Sequence, residues 1–148
     1  MILDRTNGFS DSQAVTATAI SANVIDVNPA AKNATIDYGA GEPVWLVLQV
    51  DTTFTAAGAA TLTASLESAA NAALSSGPVV HYTTPALALA DLVAGAEVAR
   101  IRLPRGDYKR YLGMRYTVGT GPMTAGAISA FLVKDAQDRK TYESGWKV

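Results

Sequence analysis

The chain has 148 residues, 49% of them hydrophobic, with 12 basic and 13 acidic residues and a formal net charge of −1. This length fits one domain with a core of its own. The balanced charge, without a basic stripe, argues against direct nucleic-acid binding. The lack of cysteine excludes disulfides, thiolate metal sites and thiol catalysis.

Neither the N-terminus nor any internal segment has the pattern of a targeting or membrane sequence. Residues 1–13 contain Asp4 and Arg5 and no apolar stretch of the kind found in secretory signals. The longest run of bulky apolar residues, 44–48, is far too short to cross a bilayer. We therefore expect a soluble protein made in a cytoplasm, without a membrane partner.

The dominant pattern along the chain is alternation of apolar and polar residues, which is typical of half-buried strands. It is clearest in TLTASLE (61–67), where Leu62, Ala64 and Leu66 share one face. Segment 43–50 is instead apolar on both faces, as expected for a central strand covered on both sides. In chain order, the predicted strands are 14–20, 23–27, 43–50, 61–67, 79–84, 97–103, 111–118 and 127–133.

Turn-forming sequences separate these strands every 8–15 residues. We expect residues 68–76 to form a loop and residues 85–95 a helical turn or an irregular crossover. The sequence thus predicts an all-β protein, a jelly-roll β-sandwich of about eight short antiparallel strands. A single domain would span residues 1–148, with an N-terminal arm at 1–10 and a C-terminal tail at 140–148.

The segment LPRGDYKRYLGMRYTV (103–118) combines a turn with a strand that is rich in arginine and tyrosine. Pro104 would end one strand, Gly106 and Asp107 would turn the chain, and the next strand would begin near Tyr108. The basic residues alternate between the two faces, whereas a pocket for an anion needs convergent donors. A turn and strand is therefore the favoured interpretation, although tyrosine and arginine also anchor protein interfaces.

No pattern of residues indicates catalysis or a cofactor. His81 is the only histidine, too few for a jelly-roll metal centre of the cupin kind, and no Gly-x-Ser-x-Gly elbow presents a nucleophile. We expect His81 to be a packed or solvent-facing strand residue. Asp135 and Asp138, the closest late acidic pair, lie in what reads as a solvated turn. The sequence therefore predicts a protein that is not an enzyme and has no metal or other cofactor.

Four long runs resemble a known family: FSDSQAVTATAIS with NVIDV, GAGEPVWLVLQVDTTFTAAGAATLTASLES, and LPRGDYKRYLGMRYTVGTGPMTAGAISAFLV. They are similar to the small capsid cement, or decoration, proteins of Bordetella-phage-type tailed bacteriophages, from about Phe9 to Trp146. Residues 28–37 and 80–100 depart from that pattern.

The resemblance implies a jelly-roll virion protein made in the host cytoplasm. It would sit on the outer surface of an icosahedral capsid and bridge subunits of the major capsid protein, without a cofactor. Closed symmetry would make it a homo-dimer or a homo-trimer.

Three segments are candidates for the capsid or subunit interface. The N-terminal arm would expose large apolar side chains, and the C-terminal tail would place aromatic residues beyond the last strand. The alternative for both is that they fold back onto their own sandwich. The third candidate is the basic turn. The candidate residues are Ile2, Leu3, Phe9, Arg105, Tyr108, Lys109, Arg110, Tyr142 and Trp146.

Two other functions remain open from the residues alone. A carbohydrate- or receptor-binding jelly roll could use Tyr108, Tyr111, Tyr116 or Trp146 as a platform for a sugar ring. An enzyme built on Asp and Glu would require two carboxyl groups that face each other across a pocket.

Overall fold

The computed structural model describes residues 4–28 and 37–136. This part of the chain contains ten strands, two 3-10 turns (Arg5–Asn7 and Leu89–Asp91) and no α-helix, so no helix in it could span a membrane. The strands are β1 (Gly8–Ala14), β2 (Ala19–Ile20), β3 (Ile25–Asp26), β4 (Trp45–Ala56), β5 (Thr61–Ala69), β6 (Val79–Thr83), β7 (Leu87–Ala88), β8 (Glu97–Arg102), β9 (Tyr111–Gly119) and β10 (Met123–Val133).

The strands form two antiparallel sheets with jelly-roll connections. Sheet 1 has the order β1-β10-β4-β8, and sheet 2 has the order β2-β9-β5-β6, with β3 also on β9 and β7 also on β5. Because β2 and β3 share one edge of β9, and β6 and β7 share one edge of β5, the ten strands occupy eight positions. The first strand pairs with the last and the second with the next to last, which confirms the predicted sandwich.

The core lies between the inward faces of the two sheets. On β9, Leu112, Met114 and Tyr116 point inward, as the alternation in the sequence predicts. The buried Tyr116 hydroxyl lies 2.8 Å from the Ser10 hydroxyl on β1, so one hydrogen bond joins the two sheets. The inward residues of the neighbouring strand β5 in sheet 2, and of β4 and β10 in the facing sheet 1, are also buried: Leu62, Ala64, Leu66, Leu46, Leu48, Val50, Ile128, Ala130 and Leu132.

The outward face of β4 is also covered, as its doubly apolar sequence predicts. Val47 is only 2% exposed and packs with Phe131 and Val133 of the neighbouring β10 in a small second cluster. Trp45 and Ala136 pack against the edge of that cluster. A strand between two others in its sheet, with apolar side chains on both faces, accounts for this arrangement.

The N-terminal strands differ from the prediction. The strand expected at 14–20 is interrupted by a bend at 16–18, and a longer strand, β1, lies upstream of it. Residues 8–10, expected in the arm, are therefore part of sheet 1. The polar sequence of β1 hides it, because two register shifts and a left-handed Ser12 break its alternation. The strand expected at 23–27 is reduced to the two residues of β3.

The connections after β5 agree better with the prediction from the sequence than the N-terminal strands do. The chain forms a loop after Ala69, as expected for residues 68–76, although β5 itself runs two residues further than predicted. Within 85–95 the structure has the short strand β7 followed by a 3-10 turn. The predicted helical turn is therefore present as a 3-10 turn, within a connection that is otherwise irregular.

Gly126 lies where β10 shifts its register against β4, and it faces an aromatic ring. Its φ of +141° lies in a region that side-chain-bearing residues rarely adopt, and a methyl group there would overlap the ring of Phe54. Gly121 also has a positive φ, +101°, but a Cβ added there would have no other atom within 4 Å. An alanine at either position would therefore be strained in its backbone, but only an alanine at 126 would also overlap a neighbouring ring.

Replacing Gly126 by Ala should destabilise the fold by at least about 1 kcal/mol more than replacing Gly121, because an overpacked site adds to the strain of the backbone. Urea denaturation of the wild type, Gly126→Ala and Gly121→Ala gives the two free energies of unfolding. Equal losses in the two variants would contradict the packing of Gly126 on Phe54.

Candidate interaction site

The connection between β8 and β9, residues 103–110, is anchored by buried side chains and is called the tip loop below. Leu103 and Tyr108 are 2% and 1% exposed, whereas Arg105, Gly106 and Asp107 between them are exposed. The strand that the sequence places from Tyr108 begins only at Tyr111. Two buried anchors thus hold a short exposed tip at one end of the sandwich.

Tyr108 locks the loop from inside. Its ring stacks on His81, with centroids 3.9 Å apart and planes at 15°, and meets the ring of Tyr38 edge-on at 5.7 Å. Its hydroxyl donates to the carbonyl of Pro104 at 2.6 Å. Burial, with a smaller effect of the Asp37 charge, raises the pKa of Tyr108 to about 12. Tyr108 was predicted as an interface residue, and its burial corrects this, since the side chain cannot reach a partner.

The segment around Asp37 holds the loop from the other side. One carboxylate oxygen of Asp37 accepts hydrogen bonds from the backbone N–H of Gly39 at 2.9 Å and of Gly106 at 3.2 Å. Gly39 packs so tightly on Pro104 that a methyl group at Gly39 would overlap the Pro104 carbonyl. The backbone of the exposed tip is therefore fixed at its base and at its turn.

A buried hydroxyl connects the tip loop to sheet 2. Ser68, on the inward face of β5, is fully buried, and its Oγ accepts from the backbone N–H of Lys109 at 2.9 Å. The same oxygen lies 2.7 Å from Nε2 of His81. One hydrogen bond therefore joins Ser68 to His81, and the tautomer of the histidine sets which of the two atoms donates.

This Ser–His pair is absent from the sequence-based prediction. His81 is the extra residue of a bulge in β6, and bulges re-aim side chains in this way. No local sequence signal indicates the bulge, because it depends on the pairing of β6 with β5. The pair has the atoms of a nucleophile and base, but the Ser68 hydroxyl is shielded from solvent and already bonded on both sides, so it serves as an internal connection.

The remaining predicted cations of the loop are bonded within the protein. The Lys109 ammonium donates to the carbonyl of Gly77, and the Arg110 guanidinium binds both carboxylate oxygens of Asp26 at 3.0 and 2.9 Å. This pairing lowers the pKa of the Asp26 carboxyl. Only Arg105, of the four predicted here, makes no hydrogen bond or ion pair with the described residues. Asp107, which was not predicted, is equally exposed and unpartnered there.

The other predicted interface residues have different outcomes. Phe9 is fully buried in the core of the sandwich, so the expectation of an exposed Phe9 is wrong, because β1 carries this residue into sheet 1. Ile2, Leu3, Tyr142 and Trp146 lie outside the described residues.

Burial also removes two residues of the predicted sugar platform. Tyr108 and Tyr116 have their rings in the core. Tyr111 is half-buried, and the guanidinium of Arg110 lies 5.0 Å above its ring. A flat exposed aromatic surface therefore does not form from these three tyrosines.

A wide, open groove of ≈ 1270 Å³ runs beside β1 and contains four aspartates, at positions 4, 11, 26 and 51. Three of these carboxylates already accept hydrogen bonds from neighbours. Asp4 accepts from Thr6 and Asn7, Asp26 binds Arg110, and Asp51 accepts from Ser129 at 2.5 Å. Residues 4–28 and 37–136 contain no group of three or more His, Asp or Glu side chains placed to hold a metal ion.

The fold and the site together define a jelly-roll sandwich whose anchored tip loop exposes one arginine and one aspartate. The chain belongs to the Bbp16 family, whose model matches residues 9–132, from β1 through almost all of β10. The family name indicates a Bordetella phage protein, which agrees with the phage origin that the resemblance implies. No curated protein matches the chain.

Removing the Ser68 hydroxyl should destabilise the fold by about 1–3 kcal/mol, because the Lys109 N–H would lose its acceptor in a buried setting. Ser65→Ala is the matched control, since the exposed Ser65 hydroxyl only meets Thr83 on the same pair of strands. Ser65→Ala should lower the free energy of unfolding by less than about 0.5 kcal/mol. Denaturation curves that show equal losses for Ser68→Ala and Ser65→Ala would refute the role of Ser68.

His81 should make stability depend on pH near neutrality. Burial lowers the pKa of His81 below its ordinary 6.5, and the charge of Asp37 opposes this only in part. The unfolded chain therefore takes up the proton more readily, and stability falls as pH drops below about 6.5, until the lower folded pKa is passed.

Free energies of unfolding at pH 7.5, 6.5 and 5.5 test this for the wild type and for His81→Gln. The wild type should lose stability relative to the variant as the pH falls. Parallel curves for the two proteins would mean that His81 does not titrate differently on folding. Carboxyl groups titrate at lower pH and are common to both proteins.

Proposed function

We propose that this protein is a capsid cement, or decoration, protein that binds the outer surface of a tailed-phage head. Its partners would be the major capsid protein and further copies of itself, as a homo-dimer or homo-trimer. It would bridge neighbouring capsid subunits and stabilise the shell against the pressure of packaged DNA. It would act without catalysis, a cofactor, a membrane or direct contact with nucleic acid.

The observation that carries this proposal is the match of residues 9–132 to a family with a Bordetella phage name. It supports a phage role for the whole sandwich, since the match covers both sheets. The resemblance of the runs around residues 38–67 and 103–133 to cement proteins narrows that role to the capsid. The rigid fold and the anchored tip loop suit a protein whose surface carries its function.

Multivalent binding explains how modest contacts could stabilise a head. A protein that binds two capsid subunits at once adds its own binding free energy to the work of separating them. When several copies associate around a symmetry axis, later contacts become intramolecular, and avidity rises by roughly 10²–10⁴. Each contact then needs no more than a standard interface of about 1,600 Å².

The proposal predicts that purified protein binds undecorated heads saturably and raises the temperature at which they rupture. The reason is that an occupied bridge must be broken before two coat subunits separate. Co-sedimentation measures the binding, and DNA release on heating measures the rupture. Heads that neither bind the protein nor change their rupture temperature would contradict the proposal.

A further inference from the structure

The outward face of sheet 1 carries an apolar cluster that the two-sheet core does not account for. Val47 of β4 and Phe131 and Val133 of β10 point away from the other sheet, yet they are only 2%, 6% and 7% exposed. An apolar sheet face stays partly open to water unless a further element packs over it. These exposures are those of a single copy, so a second copy is not needed to explain them.

The chain leaves β10 toward this cluster. A bend at Lys134 and Asp135 follows Val133, and Ala136 then packs against the cluster. The described residues end there, so the segment 137–148, called the tail below, starts beside the apolar face. Its 12 residues can extend over about 40 Å, which is longer than the 11-residue strand β10. The tail can therefore reach any part of this face.

The sequence of the tail, QDRKTYESGWKV, contains the apolar groups that such a layer needs. Its large apolar residues all occupy even positions: Tyr142, Trp146 and Val148. In an extended chain, residues two apart point to the same side. Glu143 and Lys147, at odd positions, would then face water. This pattern matches an apolar sheet face on one side and solvent on the other.

The two other segments outside the described residues start from less suitable places. Residues 29–36 follow β3 of sheet 2 and lead to Asp37, which binds the tip loop. Residues 1–3 precede the β1 side of sheet 1, where Gly8 lies opposite Phe131. Val47 lies opposite Phe131 on the far side, on β4, and three residues offer little surface to cover all three side chains. The tail is the segment that begins at the cluster.

We propose that the tail docks across the outward face of sheet 1 as a third layer, anchored there by Tyr142 and Trp146. The two aromatic residues would then stabilise the tail on its own sandwich and would not be available to a capsid subunit. This inference goes beyond the proposed function and does not depend on it.

Tryptophan fluorescence of the full-length protein tests the docking directly. The chain has two tryptophans, Trp45 and Trp146, so Trp45→Phe leaves Trp146 as the only one. In this background, Trp146 should emit at a shorter wavelength and be less quenched by acrylamide than in the urea-unfolded chain, because docking removes the indole from water.

A charge placed on the face should release the tail. Val133→Asp, added to the same background, should move the emission and the quenching of Trp146 toward their unfolded values, because an unpaired carboxylate is costly to cover. The matched control is Val93→Asp, at a 47% exposed valine outside the cluster, which should change neither quantity. A cooperative thermal transition establishes that each variant is folded, and Val133→Thr is the milder replacement should Val133→Asp not fold.

Thermal unfolding gives a second measurement. Trp146→Ala should lower the unfolding midpoint by at least about 4 °C, as expected when a covered aromatic side chain is truncated. The neighbouring Lys147→Ala should stay within about 2 °C of the wild type.

Three results would overturn the proposal. The first is a folded protein in which Trp146 emits as it does in the unfolded chain. The second is an emission that Val133→Asp and Val133→Thr leave unchanged, which would separate the tail from this face. The third is a buried Trp146 that becomes exposed on dilution, which would place the tail on a second copy. Failure to bind heads would bear on the proposed function alone.

Discussion

The packing of two β-sheets through large inward-facing side chains is the constraint on which the other features depend. Each long strand sends alternate residues into a shared interior, and the hydrogen bond between Tyr116 and Ser10 joins the sheets within it. Because each sheet packs one of its faces into this core, the core holds the strands in place. Loops at the ends of a sandwich then become the natural places for recognition, held in position by the rigid scaffold.

The tip loop shows how such a scaffold positions an exposed turn. Tyr108 inserts its ring between His81 and Tyr38, Asp37 binds the backbone from the side, and Ser68 holds the end of the loop. The apolar and polar contacts act on the same few residues, so the rest of the domain fixes the conformation of the tip. An interface that is fixed in advance loses less conformational entropy on binding than one that must fold.

The tip loop contains a cation, Arg105, that is not paired within the described part of the chain. Most cations of the described residues are paired within the chain, as in Arg100 with Glu97, Arg115 with Glu67 and Lys134 with Glu42. The exposed Lys134–Glu42 pair adds little stability, whereas the other two pairs are largely covered and Glu67 is buried. Arg105 and Arg5 are the exposed cations of the described residues whose side chains form no ion pair or hydrogen bond there.

Much of this fold could be predicted from the alternation of apolar and polar residues alone, because the two faces of β5, β8 and β9 lie in different surroundings. The prediction fails at β1, where Ser12 and two register shifts remove the period on which it depends. It also fails for the candidate site, since the contacts of Tyr108 with His81 and of Ser68 with Lys109 join distant parts of the chain. A tyrosine beside an arginine in a turn looks like an interface residue, and only the fold shows that Tyr108 is an anchor and Arg105 the exposed group.

Electron cryomicroscopy of the native phage particle tests the central claim most directly. The account predicts density for a β-sandwich of about 15 kDa per copy on the outer surface of the head, spanning the boundary between coat subunits. Density for this protein in the tail, or its absence from a complete particle, would contradict the account.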